Sequence, residues 1–484
     1  MSLNHKGPNN AKRDADQIVE LAASKRGGGT RRRNVLTKTW AGLIAYWSGA
    51  GTLMAADVAT PAKIVIGDFD PNETQGILEN SKSLEDYVPL RTYRGRATGM
   101  RITKGGIAGL FQRDDADNAS PDNGGTVIVD GGGRRWKRRF DGAVHVKWFG
   151  ASPSATASAN ATAIQAAFDS VRNSPYRRSV DFGREGAFYL VDRPIKGTHS
   201  CRIEGAATVK AAPGFSSVDF DLAGGGTLTV SPLLYFVDTP ATSVGRSGFI
   251  GKSGGSRRYG LHIADSIELD CSNAGGVGVF LDNYFDYSIA CRIKNPTKWG
   301  IWHYSNGWGG QIHSYITGPG EGGVWLGSAC NGINLDHLRV WGDDKIPSVA
   351  GLLLDGDNNG LSLSGAFLEK LAKGIICRNG TGPINLSGVD FERIEEEVVY
   401  ADGAATASRI NGPITISNSF LETKHASKPL VYAKNAIVVT RGCRMRNAAV
   451  AFMQEGPGYI VDEDNVIQSS VRSPGTGRIV RRST

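Results

Sequence analysis

Down the second half of the chain a short apolar phrase returns in step, beginning at Gly278-Val-Phe-Leu-Asp, Gly300-Ile-Trp-His-Tyr, Gly323-Val-Trp-Leu-Gly, Gly351-Leu-Leu-Leu-Asp and Gly374-Ile-Ile-Cys-Arg. Looser copies begin at Glu397 and Pro429, so that the starts lie 22, 23, 28, 23, 23 and 32 residues apart. A second apolar phrase follows each copy, from Ile289, Ile312, Ile333, Leu361, Ile384, Ile414 and Ile437. Two short strands recurring together at this period predict a solenoid whose coils each add a rung to parallel sheets, an all-β parallel β-helix. Successive strand residues face opposite ways, which sorts the first phrase into columns. Val279, Ile301, Val324, Leu352 and Ile375 turn inward, as do Leu281, His303, Leu326, Leu354 and Cys377. Phe280, Trp302, Trp325, Leu353 and Ile376 turn outward.

A third strand follows the second phrase. Eight residues on from four of the starts stand Trp341, Glu369, Glu392 and Glu422, and the apolar Leu368, Phe391 and Leu421 beside the acids turn inward. Asp390 shares the outer face of Glu392. Stacked coils would hold Glu369 and Glu392 about 5 Å apart, and Asp390 and Glu392 about 6.5 Å apart along one strand. These separations bracket the carboxyl pairs of retaining and inverting glycosidases. Crowding also raises one carboxyl pKa, which leaves an acid form near neutral pH. Glu369, Asp390 and Glu392 are therefore the candidate catalytic group. The same repeated acids also serve solubility.

Phe280, Trp302 and Trp325 would form an outer aromatic ledge suited to sugar rings, with Asp282 beside it and Trp341 flanking the acids; these five are the candidate carbohydrate-binding residues. Asp282 and Asp286 near Trp302 make an alternative acidic site. An apolar column equally marks a seam between subunits. His303 reads as a hydrogen-bonded core residue.

Ahead of the repeats, Asn160 to Asp169 reads as a capped amphipathic helix with Ile164, Ala167, Phe168 and Val171 on one stripe. The alternating segments Val180-Asp-Phe and Ala187-Phe-Tyr-Leu-Val follow it. Such a helix closes the open end of a solenoid. The chain divides into an attachment segment (1–60), a small β-rich module (61–148), the helix and its strands (149–200), the β-helix (201–465) and a short tail (466–484). The first segment has too little apolar surface to fold alone. Within residues 30–56, three arginines precede an apolar stretch and Ala55-Ala56, a twin-arginine-like pattern that offers export as an alternative.

Composition narrows the function classes. The formal charge is +8, but 55 basic against 47 acidic residues make a mixed surface. The runs at Arg31 to Arg33 and Arg134 to Arg139 lie outside the repeats and read as solvated or subunit-facing charge, so no nucleic-acid partner is expected. The six cysteines are scattered without CxxC pairs, which indicates neither a zinc site nor a disulfide framework. No apolar run approaches the roughly 20 residues that span a bilayer. Gly251-Lys-Ser lacks the phosphate-loop spacing. No metal or cofactor is expected.

Gly106-Ile-Ala-Gly-Leu-Phe-Gln-Arg-Asp-Asp, Asp122-Asn-Gly-Gly-Thr-Val-Ile-Val-Asp, Arg134-Arg-Trp-Lys-Arg and Val146-Lys-Trp-Phe-Gly-Ala, continued by Ala163-Ile-Gln-Ala-Ala, resemble the leading module of bacteriophage tailspikes and related pectate-lyase-superfamily proteins. The family's acidic Gly-Asp-Gly turn before the helix is replaced by Ala151-Ser-Pro-Ser-Ala-Thr. The resemblance implies a right-handed parallel β-helix, a homotrimer, attachment to virion tail or baseplate proteins through residues 1–150, and binding of a bacterial surface polysaccharide. It further implies depolymerisation, for which the carboxylates favour glycoside hydrolysis over lyase chemistry. Two alternatives stand beside it: a non-enzymatic tail fibre or adaptor with the ledge as trimer seam, and an exported bacterial polysaccharide-degrading enzyme, secreted or periplasmic.

Overall fold

The computed structural model describes residues 81–172, 179–197, 201–221, 227–237, 260–273, 275–343, 348–403, 411–425, 427–448, 450–468 and 478–482. The attachment segment 1–60, the export alternative at 30–56 and Gly251-Lys-Ser lie outside the described residues.

The small module is a five-stranded sheet in the spatial order Ser81–Leu84, Gly99–Ile102, Gly109–Asp114, Arg135–Arg139, Val127–Val129. Its core is Leu90, Met100, Ile102, Phe111, Ile128 and Trp136, with Tyr87 at the margin. Within the basic run, Arg138 departs from the reading as solvated charge. Strand alternation turns Trp136 and Arg138 inward, and Arg138 is only 5% exposed. Its guanidinium donates to the Tyr87 hydroxyl and to the carbonyls of Ile107, Ala108 and Gly125, and lies 4.7 Å from the Phe111 ring and 4.5 Å from the Trp148 ring. On the outer face, Lys137 bridges Asp114 and Asp117 at 2.7 and 2.8 Å. Buried charge survives when its donors are used up, and here the chain itself uses them.

The helix Ala157–Arg172 buries Ile164, Ala167, Phe168 and Val171 as the stripe predicts. Its start differs from the sequence reading. The Thr156 hydroxyl accepts from the Ala159 amide at 3.2 Å, whereas Asn160 sits fully buried within the first turn and accepts from the Ser152 amide at 2.9 Å. A buried amide oxygen on a structured loop and a helix cap satisfy the same polar need, and the sequence offers both.

Beyond the helix, strands stack in parallel coil upon coil. The first two phrases run into one another as a 21-stranded ladder, and the third strands make a separate 11-stranded sheet. Ile301 pairs with Val324, Val324 with Leu352 and Leu352 with Ile375, all at most 1% exposed, which is the predicted inward column. The six cysteines are buried and free. His303 is buried and meets the Tyr287 hydroxyl at 2.9 Å through Nδ1; burial lowers its pKa to about 3, so the core histidine is neutral.

The leading glycine of each phrase has a steric cause. A Cβ on Gly323 would stand 2.4 Å from Val340 Cγ2 and 2.5 Å from the carbonyl oxygen of Gly351. The looser copies are offset by one residue. Ile375 pairs with Val399 and Val399 with Val431, so Val398 and Leu430, not Glu397 and Pro429, continue the glycine column. The ladder also runs past residue 465: Val466–Gln468 pairs with Arg444–Arg446, and Ile479–Arg482 pairs with residues 460–463. No helix among the described residues is long and apolar enough to cross a membrane.

Candidate functional site

The outer face of the third sheet carries two columns with a buried apolar column between them. Register fixes the first as Glu268, Arg292, Tyr315, Arg339, Phe367, Asp390, Phe420 and Arg444. The second runs Asp270, Lys294, Thr317, Trp341, Glu369, Glu392. Between them Ile316, Val340, Leu368 and Phe391 fill the core. Adjacent coils are about 4.8 Å apart and alternate residues of one strand about 6.6 Å apart.

Four sequence-derived residues come together in the predicted register. Trp341 pairs with Glu369 and Glu369 with Glu392, while Asp390 shares the strand and face of Glu392. The next expected member of the line, Glu422, is displaced by a bulge between Phe391 and Ile394, and is held by Arg446 at 3.1 Å and Asn447 at 2.6 Å. Glu369 is 7% exposed and lies 3.8 Å from Arg393, so it contributes charge to the site from beneath the surface.

Asp390 differs from its neighbours. It stands between Phe367 and Phe420 on the adjoining coils, and its Oδ1 is buried without a hydrogen-bond partner. Burial raises its pKa above the ordinary carboxylate range, with the nearby Glu392 and Glu422 adding to the rise and Arg446 opposing it. A carboxyl that prefers its proton can deliver it to a leaving oxygen.

Asp390 opens into a groove of about 490 Å³ lined by Tyr315, Arg339, Trp341, Phe367 and the turn residues Gly365, Ala366 and Gly388. Gly388 adopts a φ of 61°, and a Cβ there would meet nothing within 4 Å, so the turn is tight and the groove above it open. Tyr315 and Trp341 are 38% and 39% exposed, and the Lys370 ammonium lies 4.9 Å from the Trp341 ring. Tyr315, Arg339 and Phe367 escape the sequence reading. Counting six rather than eight residues from Ile333, Leu361 and Ile384 finds Arg339, Phe367 and Asp390 in one line.

The aromatic ledge forms, but it is not an open surface. Trp302 and Trp325 stack at 4.3 Å with a 9° interplanar angle, and Phe280 meets Trp302 edge-on at 5.6 Å. Phe280 is 1% and Trp302 5% exposed. The antiparallel hairpin of Val218–Asp221 and Thr227–Val230 lays Phe220 flat on Phe280 at 4.8 Å. These two rings therefore have no face to offer a sugar, and only Trp325 keeps partial exposure. Asp282 accepts from the Ser305 hydroxyl at 2.7 Å, and Asp286 occupies a turn with φ 51°.

Among solved structures, the fold is similar to the tailspike of Acinetobacter baumannii phage AM24, at 15% identity, with 84% of this chain and 68% of that chain covered and a TM-score of 0.47. It is also similar to tailspike protein 2 of Escherichia coli O157:H7 bacteriophage CAB120, at 13% identity over 83% of this chain and a TM-score of 0.48; this chain spans 50% of that one. The tailspike of E. coli bacteriophage HK620, solved with a pentasaccharide, gives 13% identity, 70% and 64% coverage and a TM-score of 0.47. Residues 82–141 match the family described as the phage tail protein small four-stranded β-sheet domain, so the chain carries a phage-tail β-sheet domain ahead of its parallel β-helix.

Proposed function

We propose that this chain is a virion tail protein of the tailspike kind, which binds a bacterial surface polysaccharide along the outer face of the third sheet and hydrolyses it there. The observation that carries the reading is Asp390: a carboxyl with raised pKa and a buried, unpartnered oxygen, set in an open groove with the exposed rings of Tyr315 and Trp341. Asp390 is the general acid. Glu392, about 6.6 Å along the strand, is the base that activates water, a separation in the inverting range. Glu369, paired with Arg393, keeps negative charge beneath the site. The Tyr315 and Trp341 rings take the apolar faces of sugars. The phage-tail domain at residues 82–141 supports the tail location, with residues 1–150 as the attachment region and a homotrimer as the assembled state.

The test is incubation with purified polysaccharides from a panel of bacterial surfaces, followed by size-exclusion chromatography. Falling polymer size with wild type and none with Asp390→Asn or Glu392→Gln is expected. Binding without any loss of size on the cognate polymer would leave a receptor-binding adaptor and end the enzymatic reading. Inverted anomeric configuration in the first product, read by proton NMR, is expected from the carboxyl spacing.

A further inference from the structure

Resting on the polysaccharide-binding reading, we infer that the polymer is anionic, with a negative group on about every second sugar, and that it runs along the solenoid over Arg292, Arg339 and Arg444.

From Arg292 onward, past Glu268, the first outward column of the third sheet alternates at every coil: Arg292, Tyr315, Arg339, Phe367, Asp390, Phe420, Arg444. The three arginines are exposed, and among the described residues none of them has a side-chain hydrogen bond or ion pair. Other charges on this sheet are paired within the chain. Lys210 holds Asp270 at 2.9 Å, Lys294 holds Glu268 at 2.7 Å and Arg446 holds Glu422 at 3.1 Å. Glu268, the lateral neighbour of Arg292, is thereby already taken. These pairs are closed within the chain, whereas the three arginines of the first column are left to face something outside it.

Arginines two coils apart are separated by about 9.6 Å, which is comparable with the length of two sugar residues. Guanidinium groups suit carboxylates in two-pronged contacts. The ring between each pair of charges then meets the uncharged sugar, as Tyr315 does between Arg292 and Arg339. A nucleic-acid duplex fits this row poorly, because the phosphates of each strand recur about every 3.4 Å along the helix axis, far more densely than the arginines. Asp390 occupies the place in the alternation where an arginine would otherwise stand. Its Oδ1 is buried without a partner, and burial raises its pKa, so it repels an anionic polymer less than an open carboxylate would.

The experiment uses full-length Asp390→Asn protein, so that the polymer survives, and measures binding to a panel of capsular and O-antigen polysaccharides. Each uronate-containing polymer is paired with its carboxyl-reduced, neutral derivative, and a single-stranded DNA oligomer is included. Expected are binding confined to acidic polymers, a loss of about tenfold or more on carboxyl reduction or on adding Arg339→Gln, as for one charge-assisted contact, and weakening with salt. Arg339→Gln should leave the thermal melt unchanged. Equal affinity for an acidic polymer and its reduced form, tight binding of a neutral polymer, or unchanged affinity in Arg339→Gln overturns the inference and leaves the polysaccharide reading standing. DNA bound more tightly than every polysaccharide overturns both, as does binding to nothing in a panel that includes the host's own polymer.

Discussion

Asp390 shows how one residue's surroundings set its chemistry. Partial burial and the charges of Glu392 and Glu422 favour its protonated form in the folded state. The native protein therefore binds this proton at pH values where the unfolded chain has released it, and the group's contribution to stability falls as pH rises through that window. Two outcomes follow from the same cause. In wild type, depolymerisation should decline as pH rises through the elevated pKa, as a pH–rate profile will show. Asp390→Asn should lower the rate by about 10²- to 10⁴-fold while melting at an equal or higher temperature than wild type at neutral pH. A clear drop in melting temperature would mean that the carboxylate is held for structure. Trp341→Ala should raise KM more than it lowers kcat, because in the proposed binding mode the exposed ring meets sugar and not the reacting bond. Trp341, Glu369, Asp390 and Glu392 were legible because a strand's period of two and a coil's near-constant length convert sequence spacing into adjacency. Phe280 and Trp302 also fell in their predicted column, yet their exposure was not legible, since it depends on Phe220 from a hairpin that obeys no repeat.

At the scale of the strand and turn, two glycines separate two reasons for having no side chain. Gly323 has ordinary backbone but a crowded Cβ position, while Gly388 has a left-handed φ and free space. Gly388→Ala should cost about 1–2 kcal/mol, the strain of the left-handed conformation. Gly323→Ala should cost about 1–3 kcal/mol or more, because backbone on the next coil must move. Chemical denaturation of both variants tests the ranking, and a Gly323→Ala protein as stable as wild type would refute the close-approach account. The same crowding explains why the glycine phrase was readable from Gly278 to Gly374 and then blurred. At Val398 and Leu430 the column admits a side chain, the glycine marker vanishes, and the apparent starts slip by one residue to Glu397 and Pro429. In the covered ledge, Trp302→Ala removes a ring stacked on Trp325 and should cost about 3–5 kcal/mol without changing the activity of the protein that remains folded.

At the scale of the folded unit, the phage-tail module and the β-helix are coupled through a few polar groups rather than a broad apolar face. The Tyr87 hydroxyl donates to the Trp148 carbonyl at 3.1 Å, and Arg138 lies between the module's Phe111 and the Trp148 ring ahead of the capping helix. Burial lowers the pKa of this arginine and raises that of Tyr87, yet each remains in its ordinary form at neutral pH, so the junction carries one buried cation whose partners are the Tyr87 hydroxyl, carbonyl oxygens and ring faces. Such a cation is held by geometry. Arg138→Leu should strand the carbonyls of Ile107, Ala108 and Gly125, each costing about 1–3 kcal/mol, and Arg138→Lys should not restore stability, because an ammonium cannot reach several carbonyls at fixed angles while lying flat between rings. Limited proteolysis should then cut between the module and the helix in both variants, while the β-helix melts as in wild type. If Arg138→Lys resisted cleavage as wild type does, charge alone would be the adhesive. If neither variant were cut, the two parts would be joined by contacts other than this arginine.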